Sequence, residues 1–194
     1  MIRLNNTGGG TPLYQLKITL RGYKPFIWRR VILPADMKLD RLHCVIQTAM
    51  GWKDSHLHQF VAGNECFGQT DCGCDAGDPE MQDERRYTVT DLAPAARAKF
   101  IYEYDLGDSW EHEILLEKIL PPQADFKHPS CLGGANACPP EDCGGSYGYA
   151  GFVEAMADPK HEEHEQMKEW IGGAWDAAYF DLDKVNAGLK KIKA

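Results

Sequence analysis

The sequence lacks the features of a membrane or secreted protein. It contains no uninterrupted apolar run close to the roughly 20 residues that a membrane-spanning helix needs. Its first fifteen residues lack the apolar core and the cleavage-site pattern of a secretory signal. The chain has 194 residues, of which 43% are apolar, and this is enough for one packed core. We therefore expect a soluble, cytoplasmic protein with no membrane partner.

Basic residues are too few for general nucleic-acid binding. The chain has 21 Lys and Arg against 29 Asp and Glu, a net charge of −8 that repels a phosphate backbone. Residues 1–53, however, hold nine basic and only two acidic residues. This asymmetry leaves two interpretations: a basic patch that binds nucleic acid, or two halves that neutralise each other in the fold. The patch, if formed, would include Arg21, Lys24, Arg29 and Arg30, which have no acid between them.

Internal repeats and regular βαβ spacing are also missing, which favours an α+β domain with a mainly antiparallel sheet and packed C-terminal helices. Alternating apolar residues predict strands over 14–20, 26–33, 56–61, 99–105 and 110–120. Helical spacing predicts helices over 39–50, 151–157, 161–171 and 182–192, and Asp181 or Asp183 is a candidate cap for the last. Segments 68–86 and 128–149 are rich in Gly and predicted as loops. We expect a flexible leader over 1–12 and a single domain over 13–194.

The seven cysteines do not form paired CxxC motifs, and their odd number argues against a disulfide framework. Cys131, Cys138 and Cys143 lie in one Gly- and Pro-rich segment and could hold a structural zinc ion. The fourth ligand would then come from His128, Cys66, Cys72 or Cys74. Free thiols are the alternative, and the Cys72–Cys74 pair could instead be redox-active. On either interpretation Cys131 and Cys138 are predicted to lie close together, since Gly133 and Gly134 allow the chain to fold back.

Polar residues of the predicted strands and turns form a candidate pocket. Imidazoles and carboxylates are suitable ligands for zinc, manganese or iron, and a bound metal could activate water. The alternative is a structural polar network in which these side chains bond backbone groups. His112 is predicted to point inward and to bond a carboxylate or the 139–142 segment. The pocket would comprise His56, His58, Asp105, Asp108, His112, Glu141 and Asp142.

Several motifs together resemble the plasmid pRiA4b ORF-3-like family from about Tyr14 to Ile192. These motifs are PFIWRR at 25–30, MGWKDSHLHQF at 50–60, YEYDLGDSWEHEI at 102–114, ACPPEDCGG at 137–145, GY at 148–149 and DPKHEEH at 158–164. The resemblance implies a compact α+β domain found on plasmids and beside transposable elements. A recombinase role is not expected, because the chain shows no helix-turn-helix pattern beyond one amphipathic helix.

These observations favour a non-catalytic binding or accessory domain with a protein or nucleic-acid partner. Two alternatives remain open. The first is a metal-dependent hydrolase or nuclease that uses the His/Asp/Glu pocket, and the second is a DNA-binding regulator that uses the basic N-terminal region. No cofactor beyond a zinc ion is implied.

Overall fold

The computed structural model describes residues 10–70 and 81–193 of the chain. Helices α1 to α5 cover Leu39–Met50, Val89–Leu92, Gly145–Ala157, His164–Ile171 and Leu182–Leu189. Strands β1 to β8 cover Leu13–Leu20, Trp28–Pro34, His58–Ala62, Glu65–Gly68, Met81–Asp83, Lys99–Tyr104, Trp110–Leu120 and Ser130–Ala135. In the described part of the chain, no helix is long and apolar enough to cross a membrane.

The strands form one eight-stranded sheet with the order β5-β4-β3-β6-β7-β1-β2-β8. Neighbouring strands are antiparallel except β4 and β5, which are parallel. The β6–β7 and β1–β2 pairs join strands that are neighbours in sequence. The β3–β6 and β1–β7 pairs join strands that are distant in sequence, and they unite the parts of the chain in one sheet. The predicted α+β class with a mainly antiparallel sheet is confirmed.

The core lies between one face of the sheet and helix α1. Alternate residues are buried along most of β7 and in the second half of β1, as period two requires, and Leu42, Val45 and Ile46 of α1 belong to the same core. Gly51 ends α1 with φ of 102°, a left-handed conformation that glycine adopts without strain. Helix α5 contacts both α1 and β8, and it therefore covers the edge of the sheet.

Two predicted loops contain strands. Segment 128–149 includes β8 and the first turn of α3, and segment 68–86 includes β5 and a short 3₁₀ helix over Glu84–Arg86. Strand β8 has the sequence SCLGGA, which shows no apolar alternation. It forms because the edge of β2 supplies a partner, and because the Asn186 side chain bonds both the N–H and the C=O of Cys131. Strand β8 therefore forms because of its tertiary contacts, and its local strand propensity does not account for it.

Most of the other predicted elements agree with the structure to within three residues, but α3 begins six residues before the predicted helix over 151–157, and β4 and α2 were not predicted. The first strand, the helix over 39–50 and the hairpin over 99–120 are all present. Asp181 caps α5 by accepting a hydrogen bond of 2.9 Å from the Lys184 N–H. The expected leader over 1–12 lies mostly outside the described residues, as does the Cys72–Cys74 pair.

Candidate metal centre

Strand pairing brings His56 and Asp105 together at one end of the sheet. Strands β3 and β6 are antiparallel, with His58 opposite Tyr104. His56 therefore precedes β3 at the same end at which Asp105 follows β6. The Asp105 N–H donates to the Leu57 carbonyl at 2.9 Å and extends this pairing by one more bond.

Side-chain hydrogen bonds hold the loop that follows β8 against these strand ends. The Glu141 carboxylate accepts from the Lys53 N–H at 2.6 Å and from the Tyr104 hydroxyl at 3.1 Å. Below it, the Asp108 carboxylate accepts from the Gly144 N–H at 3.2 Å, so the hairpin between β6 and β7 holds the far end of the loop. Asp108 thus stabilises the loop and does not belong to the group of side chains around His56.

Four side chains converge here, and we call them the His56 cluster: His56, Asp105, Glu141 and Asp142. The His56 Nε2 atom lies 3.0 Å from Asp142 Oδ1, 3.6 Å from Asp105 Oδ2 and 3.7 Å from Glu141 Oε2. Although Asp142 is within bonding distance, its direction does not meet hydrogen-bond geometry. The buried Nε2 atom consequently has no hydrogen-bond partner in the described part of the chain.

The backbone of the hairpin turn orients the Asp105 carboxylate towards His56. Its Oδ1 atom accepts from the N–H groups of Gly107 and Asp108 at 3.1 and 3.3 Å, which leaves Oδ2 to face His56. Asp105 and Asp142 both have left-handed backbones, with φ of 56° and 57°. Such conformations are uncommon for residues other than glycine, although Asp is among those that tolerate them best. They persist only when neighbouring contacts enforce them.

The His56 cluster is strongly acidic. Three carboxylates surround one imidazole, and among residues 10–70 and 81–193 no other cationic side chain lies within 4.0 Å of them. Burial, together with the nearby Glu141 carboxylate, raises the pKa of Tyr104 to about 12, so this hydroxyl remains a hydrogen-bond donor at neutral pH. A cation would relieve the mutual repulsion of the carboxylates.

The spacing of the ligand atoms suits a metal ion. One atom each from His56, Asp105 and Asp142 lies within 4.8 Å of the others, and this is the one such group in the described residues. Metal–ligand bonds of about 2.0–2.2 Å place two ligands at 90–110° roughly 2.8–3.6 Å apart. The distances of 3.0 and 3.6 Å from His56 Nε2 fall within this range. One imidazole with carboxylates is a ligand set typical of zinc, manganese or iron.

His58 lies elsewhere, in a buried network beneath α1. Its Nε2 atom lies 2.8 Å from Glu84 Oε2, and its ring stacks on that of His43 with centroids 3.6 Å apart. His43 in turn bonds the Tyr102 hydroxyl and the Asp54 carboxylate, both at 2.8 Å. Burial, followed by the neighbouring His58, lowers the pKa of His43. His43 was not among the predicted site residues, although a histidine on the apolar face of α1 indicates a buried side chain that needs a hydrogen-bond partner.

His112 is fully buried, as predicted, but its predicted bond to a carboxylate or to residues 139–142 is wrong. Its Nδ1 atom bonds the Tyr102 carbonyl at 3.3 Å, and its Nε2 atom accepts from the Trp52 indole N–H at 3.5 Å. Antiparallel pairing places His112 opposite Tyr102, well inside the sheet and away from the hairpin turn. Burial lowers its pKa to about 4.

The three predicted zinc-ligating thiols do not converge. Within the described residues, Cys131, Cys138 and Cys143 form no group of ligand atoms within 4.8 Å of one another. Cys131 lies in β8, where it is paired with β2, whereas Cys138 and Cys143 lie in the loop that follows β8. Burial raises the pKa of all three thiols and keeps them protonated. The structure thus favours the alternative of free thiols.

The predicted basic patch is not formed either. Arg29 is 3% exposed, and its guanidinium donates to four backbone carbonyls. Arg30 makes a bidentate pair with Glu117, and Arg21 pairs with Glu111. Of the four candidates only Lys24 keeps an exposed charge without such a pair in the described chain. Alternate residues of β2 face opposite sides of the sheet, so adjacent arginines could not share one surface.

Comparison with known proteins agrees with this fold. A Sinorhizobium fredii protein, described as uncharacterized protein y4hQ, is 40% identical over 182 residues, covering 93% of this chain and 92% of that protein. The crystal structure of MM3350 from Methanosarcina mazei Go1, described as a protein of unknown function, superposes with a TM-score of 0.78 at 34% identity. That match covers 90% of this chain and 97% of MM3350. The family model of the plasmid pRiA4b ORF-3-like protein matches residues 12–184, and the chain belongs to this family.

Proposed function

We propose that this protein is a metal-binding domain whose His56 cluster holds one divalent transition-metal ion. The observation that carries this proposal is the buried His56 Nε2 atom, which has three carboxylate oxygens within 3.7 Å and no hydrogen-bond partner in the described residues. A buried polar atom without a partner costs about 1–3 kcal/mol. A metal bond would replace the missing hydrogen bond and neutralise part of the carboxylate charge.

The ligands in this proposal are His56, Asp105 and Asp142, with Glu141 at the edge of the group. Glu141 already accepts hydrogen bonds from Lys53 and Tyr104, and this places it as a support for the site. Carboxylates bonded in this way orient metal ligands in many proteins. Three protein ligands leave at least one coordination position open to water or to another ligand.

Isothermal titration of the metal-free chain with Mn²⁺ and Zn²⁺ tests this proposal. We expect one ion per chain, and at least tenfold weaker binding in His56→Gln and in Asp142→Asn. These two positions are chosen because the Asp142 side chain is 71% exposed and neither residue closes the hairpin turn as Asp105 does. The matched control is Asp125→Asn, an exposed aspartate in the turn after β7. Equal affinity in wild type and both ligand variants would overturn the proposal.

Metal-dependent hydrolysis is the second candidate, and one observation favours it. A cleft of about 520 Å³ has Glu141 and Asp142 in its lining, so a metal at the His56 cluster would lie beside a space large enough for a substrate. A metal there could lower the pKa of a bound water molecule and supply a nucleophile. Turnover of bis(4-nitrophenyl) phosphate by the Mn²⁺-loaded chain, lost in His56→Gln, would support hydrolysis. Metal binding without turnover would favour a non-catalytic role.

We also propose an accessory role in the cytoplasm beside mobile elements, which the plasmid origin in the family's name supports. A DNA-binding role has less support, because the pairing of Arg21 and Arg30 with glutamates removes most of the predicted basic patch. Gel retardation that weakens with salt would be needed to restore it.

A further inference from the structure

The cleft beside the His56 cluster combines cationic and aromatic side chains. It runs between the end of α1, the loop that follows β8, and the helices α4 and α5. Glu141 and Asp142 mark the end nearest the cluster. The residues that matter for its chemistry are Arg29, Lys53, Trp170, Tyr179, Phe180 and Lys184.

Arg29 contributes a buried positive charge to this cleft. Its Nε atom donates to the Ala49 carbonyl, Nη1 donates to Trp28 and Ala135, and Nη2 donates to Asn136, at 2.8–2.9 Å. All four acceptors are neutral carbonyls. Throughout the described part of the chain, no carboxylate lies within 4.0 Å of this guanidinium, in contrast to that of Arg30. A guanidinium has five N–H donors, and these bonds account for four of them.

A buried charge without a counter-ion is uncommon, because the cost of its desolvation is not repaid. The carbonyl bonds and the Phe180 ring, whose centroid lies 4.5 Å from the guanidinium carbon, offset part of this cost. An anion bound in the cleft would supply the remaining compensation. Lys53 and Lys184 line the same cleft, and with Arg29 they balance the three acidic residues of the lining, Glu141, Asp142 and Asp181.

Aromatic side chains form another part of the wall, and two of them are unusually exposed. Trp170 is 47% exposed and Tyr179 is 52% exposed. Trp170 is held in place by an edge-on contact with Phe152, with ring centroids 5.6 Å apart. Rigid, exposed aromatic rings beside a cation are suited to stacking against a planar ring.

We propose that this cleft binds a small organic oxyanion, a phosphate or a carboxylate, attached to a planar aromatic ring. The oxyanion compensates the charge of Arg29 and Lys53, and the ring lies against Trp170 and Tyr179. The proposal rests on the proposed metal-binding function in one respect. A metal ion at the His56 cluster would have an open coordination position, and the oxyanion would also bind the metal there. The contacts with Arg29 and the aromatic wall do not require the metal, and the two proposals can therefore fail separately.

Titration of the full chain with 1-naphthyl phosphate, with and without Mn²⁺, tests this inference. We expect the metal-free chain to bind 1-naphthyl phosphate at least tenfold more tightly than inorganic phosphate or 1-naphthol. Inorganic phosphate has the oxyanion without the aromatic ring, and 1-naphthol has the ring without the phosphate. Mn²⁺ should strengthen binding by about a further tenfold in wild type and not in His56→Gln. Comparison with 1-naphthoate distinguishes a phosphate from a carboxylate ligand.

Variants at the exposed rim avoid the buried Arg29, whose replacement could prevent folding. Trp170→Ala and Lys53→Gln should each weaken binding of 1-naphthyl phosphate at least fivefold. Tyr179→Ala provides a second test of the aromatic wall if Trp170→Ala does not fold. The control is Tyr147→Ala, an aromatic residue 93% exposed and outside the lining of this cleft.

The outcomes separate this inference from the metal site. Mn²⁺ binding without tighter binding of 1-naphthyl phosphate than of its two halves would overturn the cleft proposal and leave the metal site intact. Equal binding in wild type and in the rim variants would also overturn it. Tight binding by the metal-free chain, with no Mn²⁺ bound at the cluster, would support the cleft and refute the metal centre.

Discussion

The acid stability of this protein should depend measurably on His112. Its imidazole is fully buried, and burial lowers its pKa from an ordinary value of 6.5 to about 4. A histidine with a lowered pKa in the folded state binds its proton more readily when unfolded. Its contribution to stability is therefore complete above pH 6.5 and is lost as the pH falls from 6.5 towards 4.

The magnitude follows from the two pKa values. At pH 5 the unfolded chain holds almost one more proton at this position than the folded chain, which gives a slope of about 1 kcal/mol per pH unit. The cumulative loss from His112 is about 2 kcal/mol at pH 5 and about 3 kcal/mol at pH 4. The direction has a structural reason, because protonated Nε2 would present a donor to the Trp52 indole N–H, which is itself a donor.

Urea unfolding of wild type and His112→Gln between pH 4 and 7 measures this contribution. Other ionisable groups also contribute to the pH dependence of stability, so the quantity of interest is the difference between the two pH profiles. The variant should be less stable than wild type at pH 7, and its profile should be shallower by about one proton near pH 5. His128→Gln, at a partly exposed position, is the control and should keep the wild-type slope. Identical slopes for wild type and His112→Gln would refute the reasoning.

Three further predictions concern stability. Tyr102→Phe removes the hydroxyl that bonds His43 and Gln47, and the unpaired partners should lower the free energy of unfolding by about 1–3 kcal/mol in urea denaturation. In α3, the new Cβ of Gly151→Ala meets open space, and this variant should raise the free energy of unfolding by about 0.5–1 kcal/mol. Gly148→Ala would place its Cβ against the Cys143 carbonyl and should destabilise the protein strongly. Equal melting temperatures of the two variants would contradict this prediction. Asp181→Ala should cost about 0.5–2 kcal/mol through loss of the α5 cap, measured as a lower melting temperature.

Much of the sheet could be predicted because its central strands carry their own pattern. Strand β6, most of β7 and the second half of β1 alternate buried and more exposed residues, and the hairpin between β6 and β7 is local. Strand β8 could not be predicted, because its Gly-rich sequence has no alternation and its pairing depends on β2 and Asn186, more than 50 residues away in each direction. Contacts of this kind are invisible to a local pattern.

The candidate site was predicted in part for a similar reason. The structure brings together four of the seven predicted pocket residues, His56, Asp105, Glu141 and Asp142. His56 and Asp105 were predicted at the ends of strands, and Glu141 and Asp142 in a loop. The predicted strand over 56–61 would place His56 and His58 on the same face of the sheet. However, β3 begins at His58, so His56 lies before the strand. A shift at the strand end therefore separated two residues that the pattern had joined.

The three histidines show how residues of one type acquire different roles. His58 and His112 are almost completely buried, and each has a partner that holds its ring: Glu84 for the first, Tyr102 and Trp52 for the second. His56 is more exposed as a side chain, yet its Nε2 atom is buried and makes no hydrogen bond in the described chain, although Asp142 Oδ1 lies 3.0 Å away. Burial alone would select His58 and His112, and not the histidine of the proposed metal site. The decisive property is hydrogen-bond satisfaction, because a satisfied imidazole stabilises the fold, whereas an unsatisfied one aimed at three carboxylates retains its capacity to bind a metal.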